Sequence, residues 1–284
     1  MTLAPNIIQA IRKMPLFSHV AQRLMEITTD PNHRHKEVVQ LVETDSILTA
    51  LLLKVVNSAA YGFSGSVTSI SRAAALLGDR TVTALAIGQS AKGLFTAPLE
   101  GYEADAGELW AHSLRTAIAA KLLAPLSVSP APPDVAYTAG LLHDIGKAVL
   151  NGMLSGHVSH MLESVDQGVM ASFLDAEKSE VGANHCEAGA ALAEYWRLSS
   201  LFQHTCEFHH YPELSPEAER GMIYVVHLAD HIAIMAGSST GADGFMYPMS
   251  ATWQDFVPID DQQLYQVMMS STEEFERVKR MLFA

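Results

Sequence analysis

The feature that most constrains this chain is a succession of helical segments that are apolar except for single histidines and aspartates. His112 sits within Leu109-Trp110-Ala111-His112-Ser113. His143 and Asp144 end the apolar stretch Ala139-Gly140-Leu141-Leu142. His185 opens a segment running through Ala188 to Leu192. His209-His210 closes another just before Tyr211-Pro212, and Asp230 lies inside Val225-Val226-His227-Leu228-Ala229-Asp230-His231. Burying such groups without partners is costly. One buried histidine is ordinarily a satisfied core residue. Five such cases on successive helices point instead to a bundle core in which ligand-type side chains from different helices meet.

Helical spacing of apolar residues extends over most of the 284 residues, with no β-type alternation and no fixed repeat. Helices are expected near 16–27, 36–44, 46–53, 69–77, 81–94 and 106–126. The segment Ile47 to Leu53 is apolar nearly all round and reads as a buried helix. Its end is marked by Asn57-Ser58 and by turn signals at Tyr61-Gly62 and Ser64-Gly65. Asp134 is expected to cap a helix that continues to Gly146. Further helices are expected near 154–166, 170–178, 183–195, 199–208, 215–235 and 261–281, and Gly237–Pro248 reads as a surface loop. Pro98, Gly101 and neighbouring acids mark a boundary. The expected architecture is all-α: a helical subdomain over 1–100 and a larger one over 101–284.

Composition narrows the function classes. With 49% hydrophobic and 17% charged residues, the chain has material for a core and is not a disordered polymer. No unbroken apolar run of about 18 residues suggests a membrane span. No basic-then-apolar leader is expected at the N-terminus, and two cysteines cannot form a disulfide framework. A cytoplasmic setting is the natural expectation. The net charge of −13 is concentrated in the second part, where residues 101–284 carry nine basic and twenty-four acidic side chains. That balance argues against tight binding of duplex nucleic acid and suits cation binding. Ten of the thirteen histidines lie in the same part.

The order His112, His143-Asp144, Asp230 resembles the His…His-Asp…Asp motif of the HD superfamily of metal-dependent phosphohydrolases. The chain is most similar to one branch, the HDOD domains of bacterial signalling proteins. Met14-Pro15-Leu16, Thr44-Asp45-Ser46, Asn57-Ser58-Ala59-Ala60-Tyr61-Gly62, Ile70-Ser71-Arg72-Ala73 and Leu77-Gly78 carry that resemblance in the first part. Gly140 to Lys147, Asn184 to Gly189, Trp196-Arg197-Leu198 and His209 to Pro212 carry it in the second. It spans about residues 10–235.

The resemblance implies an all-α two-part bundle with the metal site in the C-terminal part. His112, His143, Asp144 and Asp230 would hold one metal. His185, His209 and His210 match positions that extend the site to two or three metals in the related HD-GYP phosphodiesterases, with Asp144 bridging. Mn or Fe, one to two per chain, suits a mixed nitrogen and oxygen donor set. Asp144 and Lys147 are the catalytic candidates. Lys147 matches a lysine that contacts substrate phosphate, and it reads equally as a cation at a helix end. Glu108, one turn before His112, is either a further oxygen ligand or part of a solvated face.

The Gly-Tyr-Pro motif of HD-GYP enzymes is missing. Only Tyr211-Pro212 remains, directly after His210, which argues against cyclic dinucleotide hydrolysis. The implied function is hydrolysis of a phosphate ester or phosphodiester through metal-activated water. The alternative is a non-catalytic regulatory module that signals through protein partners, as in HDOD domains that have lost ligands. The expected partner is a phosphate-containing small molecule or a signalling protein, with homo-oligomerisation open. His227 is expected on the helix surface, with a role behind a metal ligand as the alternative. His157, His160 and His204 are expected at the surface. Cys186, Cys206, Trp110 and Trp196 are expected to pack the core.

Overall fold

The computed structural model describes residues 3–30, 32–58, 66–129 and 131–283. Among them the chain is helical throughout, with no strand beyond an isolated bridge between Leu99 and Ala104. The helices are α1 (Pro5–Lys13), α2 (His19–Thr29), α3 (His35–Glu43), α4 (Ser46–Val56), α5 (Ile70–Leu77), α6 (Asp79–Ser90) and α7 (Lys92–Thr96). They continue as α8 (Glu108–Leu123), α9 (Pro133–Leu142), α10 (Gly146–Leu154), α11 (Val158–Asp166), α12 (Phe173–Val181) and α13 (His185–Tyr195). The last are α14 (Ser200–Phe208), α15 (Glu217–Met235), α16 (Trp253–Phe256) and α17 (Asp261–Phe283). No helix among the described residues is long and apolar enough to cross a membrane.

The chain forms two compact units. One holds Met1–Pro15 and Gly93–Thr272, the other Leu16–Lys92 and Glu273–Ala284. The chain passes between them at Pro15/Leu16, Lys92/Gly93 and Thr272/Glu273. The units are not contiguous in sequence, because α1 belongs with the larger one, where it packs on α10 and α13.

In the smaller unit, polar residues mostly mark helix ends. Ser18, Asp45 and Ser69 each accept a backbone N–H of the first turn that follows, the usual way to satisfy the open donors of a helix start. Asn57 braces the end of α4 by bonding Leu53 O, Val67 O and Val67 N. The expected turns at Tyr61-Gly62 and Ser64-Gly65, and the Ala59 to Gly62 part of the motif, lie outside the described residues. The helix α4 is not buried all round. Leu48, Leu52, Val55 and Val56 face the core, while Ile47 is exposed.

In the larger unit, α8 packs on α9 and α15, and α13 packs on α14 and α10. Both α8 and α15 are buried over most of their circumference, as central helices of a bundle are. Trp196 is buried and donates its indole N–H to Pro15 O at 3.0 Å.

The expected single helix from Asp134 to Gly146 is two helices. The first begins at Pro133 after Pro132, and Asp134 lies in its first turn, 3.3 Å from Lys121. Proline is preorganised for the first helical position, which displaces the cap by two residues. It stops at Leu142. Ile145 N–H then bonds Leu142 O and Lys147 N–H bonds Asp144 O. This tighter i→i+3 pattern re-aims His143 and Asp144. Gly146 opens α10 instead of closing α9. A Cβ there would lie 1.9 Å from His185 O and 2.5 Å from Gly189 N, so only glycine permits this approach of α10 to α13.

Candidate metal centre

Every expected ligand in the larger unit converges on one buried cluster. The α9–α10 turn supplies His143 and Asp144, α8 supplies His112, and α15 supplies Asp230. The first residue of α13 supplies His185, and the residues just after α14 supply His209 and His210. None of the seven is more than 4% exposed. The start of α13 is fixed by a reciprocal cap, in which Asn184 accepts Glu187 N–H and Glu187 accepts Asn184 N–H.

The proton positions follow from the outer hydrogen bonds. A carbonyl can only accept, so the ring nitrogen facing one must carry the hydrogen. His112 Nδ1 donates to Ser238 O at 2.8 Å, His143 Nδ1 to Gly140 O at 2.7 Å, and His209 Nδ1 to Cys206 O at 2.9 Å. His185 Nδ1 donates to the Glu177 carboxylate at 2.9 Å. Metal-binding histidines are held by this kind of bond, which leaves Nε2 as a lone pair aimed inward.

Inside the cluster, ring nitrogens and carboxylate oxygens crowd together with more lone pairs than hydrogens between them. His112 Nε2 is 3.2 Å from His143 Nε2 and 3.1 Å from Asp230 Oδ1. His185 Nε2 is 3.1 Å from His210 Nε2. His209 Nε2 and Asp144 Oδ1 face each other at 3.4 Å, and both lack a hydrogen-bond partner, as does His210 Nδ1. An unsatisfied buried polar group costs about 1–3 kcal/mol. Facing lone pairs are stable when a proton or a cation lies among them.

Asp144 joins two donor groups. Its Oδ2 lies 3.5 Å from His112 Nε2 and 3.7 Å from His143 Nε2, and its Oδ1 lies 3.5 Å from His185 Nε2 and 3.4 Å from His209 Nε2. Two sets of potential ligand atoms are compact enough to hold an ion: His112, His143 and Asp144, and His185, Cys186, His209 and His210. Both cysteines are buried and free.

Charge points the same way. Asp144, Asp230, Glu177 and Asp243 are all buried around Lys147, while a second buried cation, Arg115 of α8, donates to Ser238 Oγ and Thr272 Oγ1. With neutral imidazoles the four carboxylates and Lys147 sum to −3, and the effective penalty for burying each ion is several kcal/mol. Burial opposes ionisation of Asp144 and Asp230, yet their neighbours hold both well below the usual carboxylate range. For Asp144 these are Lys147 and the histidines; for Asp230 they are His112 and His143. Burial also disfavours charged His112 and His185, but Asp230 and Asp144 outweigh it at His112 and Glu177 outweighs it at His185, raising both pKa values, so protons on these rings offset part of the negative excess. Burial takes His209 down to about 4. The donor set, its unpartnered atoms and its charge deficit all fit divalent cations.

Several contributors are absent from the motif. Glu177 on α12 is fully buried and accepts His185 N–H, His185 Nδ1–H and the Tyr102 hydroxyl. No spacing rule points to it, because its partners lie eight and 75 residues away. The segment expected as a surface loop is partly buried on the cluster: Thr240, Asp243 and Tyr247 all touch site residues, while Phe245 is exposed. His227 is buried rather than on the surface. It donates from Nδ1 to His209 O at 2.8 Å and accepts Ser250 N–H on Nε2 at 2.9 Å. Glu108 accepts Asp105 N–H at the start of α8. His157 and His160 are exposed and pair with Glu180, and His204 pairs with Glu219.

The chain has relatives. The HDOD domain family matches residues 14–212. A solved HDOD domain protein with unknown function from Geobacter sulfurreducens is 26% identical, with 96% of this chain and 93% of that one covered and a TM-score of 0.67. A candidate signal transduction protein from Marinobacter aquaeolei VT8 shares the fold at 20% identity and a TM-score of 0.76, covering 97% of this chain and 64% of that one. A candidate metal-dependent phosphohydrolase from Shewanella amazonensis SB2B shares it at 19% identity and a TM-score of 0.55, covering 98% and 99%. An uncharacterized protein of Treponema pallidum (strain Nichols) is 28% identical over 229 residues, 80% of this chain, and the chain spans 44% of that protein's length. With the family matched over most of its length, the chain belongs to the HDOD domain family.

Proposed function

We propose that the cluster is a two-centre divalent-metal site that hydrolyses a phosphate ester or phosphodiester. The carrying observation is Asp144, whose two oxygens face two separate groups of histidine nitrogens. His112, His143, Asp230 and Asp144 Oδ2 would hold one ion, and His185, His209, His210 and Asp144 Oδ1 a second. A divalent metal bound there supplies Lewis acidity toward a phosphoryl oxygen and makes water acidic enough to react near neutral pH. Mn or Fe fits the mixed donors.

The chain's own groups then have distinct tasks. Glu177 and the carbonyls of Ser238, Gly140 and Cys206 lock the imidazole orientations. Lys147 is the cation suited to hold a phosphoryl oxygen and offset charge that develops on it. The apolar walls of α8 and α15 keep bulk water out and strengthen each electrostatic contact. The cytoplasm is the natural setting for such a chain.

A second reading, a regulatory module acting through a protein partner, draws support from the complete burial of the cluster and from Lys147 being already paired. Metal content by mass spectrometry separates the readings. The expected result is one to two transition metals per chain, lost in His143→Ala and Asp144→Ala while helix content is kept. A phosphodiester screen on the loaded chain follows. No metal after reloading with Mn or Fe overturns the hydrolase reading.

A further inference from the structure

The segment from Ser238 to Ser250 crosses the cluster, touching it at its start and in the middle and ending on His227, which bonds the His209 carbonyl. Ser238 O takes the Nδ1–H of His112, and Ser250 N–H binds His227. Between them, Thr240 Oγ1 accepts from Lys147 Nζ, and Asp243 Oδ2 stands 2.9 Å from the same nitrogen. The Tyr247 ring stacks on His210, with centroids 3.7 Å apart and planes at 15°. Its hydroxyl donates to Asp243 Oδ2 at 2.7 Å. Lys147, Thr240 and Asp243 are no more than 2% exposed.

Asp243 is more than Lys147 requires for charge balance. The ammonium already meets Asp144 at 2.8 Å, so a second carboxylate deepens the negative excess of the site. A charge-assisted contact between an ammonium and an anionic oxygen spans about 2.7–2.9 Å. Asp243 therefore takes the contact that a phosphoryl oxygen would need. Tyr247 lies flat over the second histidine group and clamps Asp243 in place.

The segment is also pinned away from the metal ligands. Gly241 has φ +102°, and a Cβ there would lie 2.1 Å from Tyr102 O, while Ala242 N–H donates to that oxygen at 2.9 Å. Only glycine lets the strap seat this closely.

We propose that Ser238–Ser250 is an autoinhibitory strap, with the Asp243 carboxylate occupying the substrate-phosphate contact of Lys147. A phosphate-bearing ligand enters only when the strap is displaced. This rests on the reading of the cluster as a metal-dependent phosphate site and adds its regulation. A ligand that needs a minor open state binds with an affinity reduced by the open fraction.

The test is calorimetric titration of inorganic phosphate into the Mn-loaded full chain, with metal content measured on the same samples. Asp243→Ala removes the plug, and Gly241→Ala unseats it without altering a cluster residue. Both are expected to bind phosphate at least about tenfold more tightly than the wild type. Adding Lys147→Met to Asp243→Ala is expected to abolish the gain. Phe245→Ala, on the same strap but 84% exposed, is expected to match the wild type. Circular dichroism identifies any variant that fails to fold, and the other then decides. Bound metal with equal phosphate affinity in the wild type and the folded strap variants overturns the strap and leaves the metal site standing. Absence of metal from every variant ends the underlying reading and the strap together.

Discussion

His33, His35 and Asp79 in the smaller unit are the same residue types as His112, His143 and Asp144 in the larger one, and they are used in opposite ways. His33 donates from Nδ1 to Asp30 O at 2.7 Å and pairs through Nε2 with Asp79 Oδ2 at 3.0 Å, and His35 Nδ1 pairs with the other Asp79 oxygen. Donors meet acceptors around Asp79, and although His35 Nε2 lacks a partner, protons satisfy every contact among the three side chains. The side chains keep contact with solvent, at 14% exposed for His33 and 41% for His35. In the larger unit the outer nitrogens spend their hydrogens on carbonyls, and the inner ones face each other and carboxylates. Complementarity of protons, rather than residue type, distinguishes an ordinary polar patch from a place that calls for a metal.

The most direct way to break this contrast is to remove one carboxylate from each set. Asp144→Asn is expected to empty both centres, because one side chain serves two donor groups. Asp79→Asn is expected to leave metal content unchanged. Equal metal loss in both variants would place the metal elsewhere and erase the distinction. The effect should also appear in melting temperature: a ligand at 100 times its Kd adds about 2.7 kcal/mol of stability. Mn should therefore raise the melting temperature of the wild type and the Asp79 variant, but not of Asp144→Asn.

Packing gives the next largest effect. Gly146→Ala places a methyl 1.9 Å from the carbonyl of His185, on backbone that cannot swing aside. Overpacking of this kind costs about 1–3 kcal/mol and at times more. It also pushes α13, and His185 with it, away from Asp144. Chemical denaturation should show the loss, and metal titration should show the His185 group weakened more than the His112 group. A variant as stable as the wild type would mean that α10 and α13 do not approach this closely.

These cases show what a linear sequence can carry. The seven ligand candidates were legible because each is a polar residue within or at the end of an apolar helical stretch, where the apolar neighbours face inward. The all-α class was legible for the same reason. The break between α9 and α10 was not, because His143 to Lys147 keeps helical composition and the interruption depends on α13 pressing against Gly146. Glu177 was invisible because acidic side chains are common on helices, and only the fold brings it to His185. Thr240, Asp243 and Tyr247 were hidden by a stretch rich in Gly and Ser that has loop composition whether it lies in solvent or across a buried site.

Glu177 offers a gentler probe of the same contrast. Its oxygens accept three donors, and Gln would turn one acceptor into a donor facing donors. Loss of an outer partner of a metal-binding histidine typically costs about 10–100-fold in metal affinity. Glu177→Gln is expected to weaken the His185, His209 and His210 centre by that factor and spare the other. Titration with limiting Mn should then resolve one tight and one weak site. Equal weakening of both would show that the centres are not separable through Asp144.

The smallest effect belongs to the smaller unit and follows from His33. The hydrogen bond to the Asp30 carbonyl, aided by Asp79 and opposed by burial, raises its pKa above the ordinary 6.5. A raised folded-state pKa means that the folded protein holds this proton more tightly than the unfolded chain does. The resulting stabilisation is fully present below pH 6.5 and is lost as pH climbs through the higher folded value. NMR titration of the His33 ring should therefore give a midpoint above 6.5, and His33→Asn should flatten the change in stability above pH 6.5. The midpoint should be the same with and without Mn, because this pair is satisfied by protons alone. A midpoint that falls when Mn is added would make His33 a metal ligand and remove the contrast between the two sets.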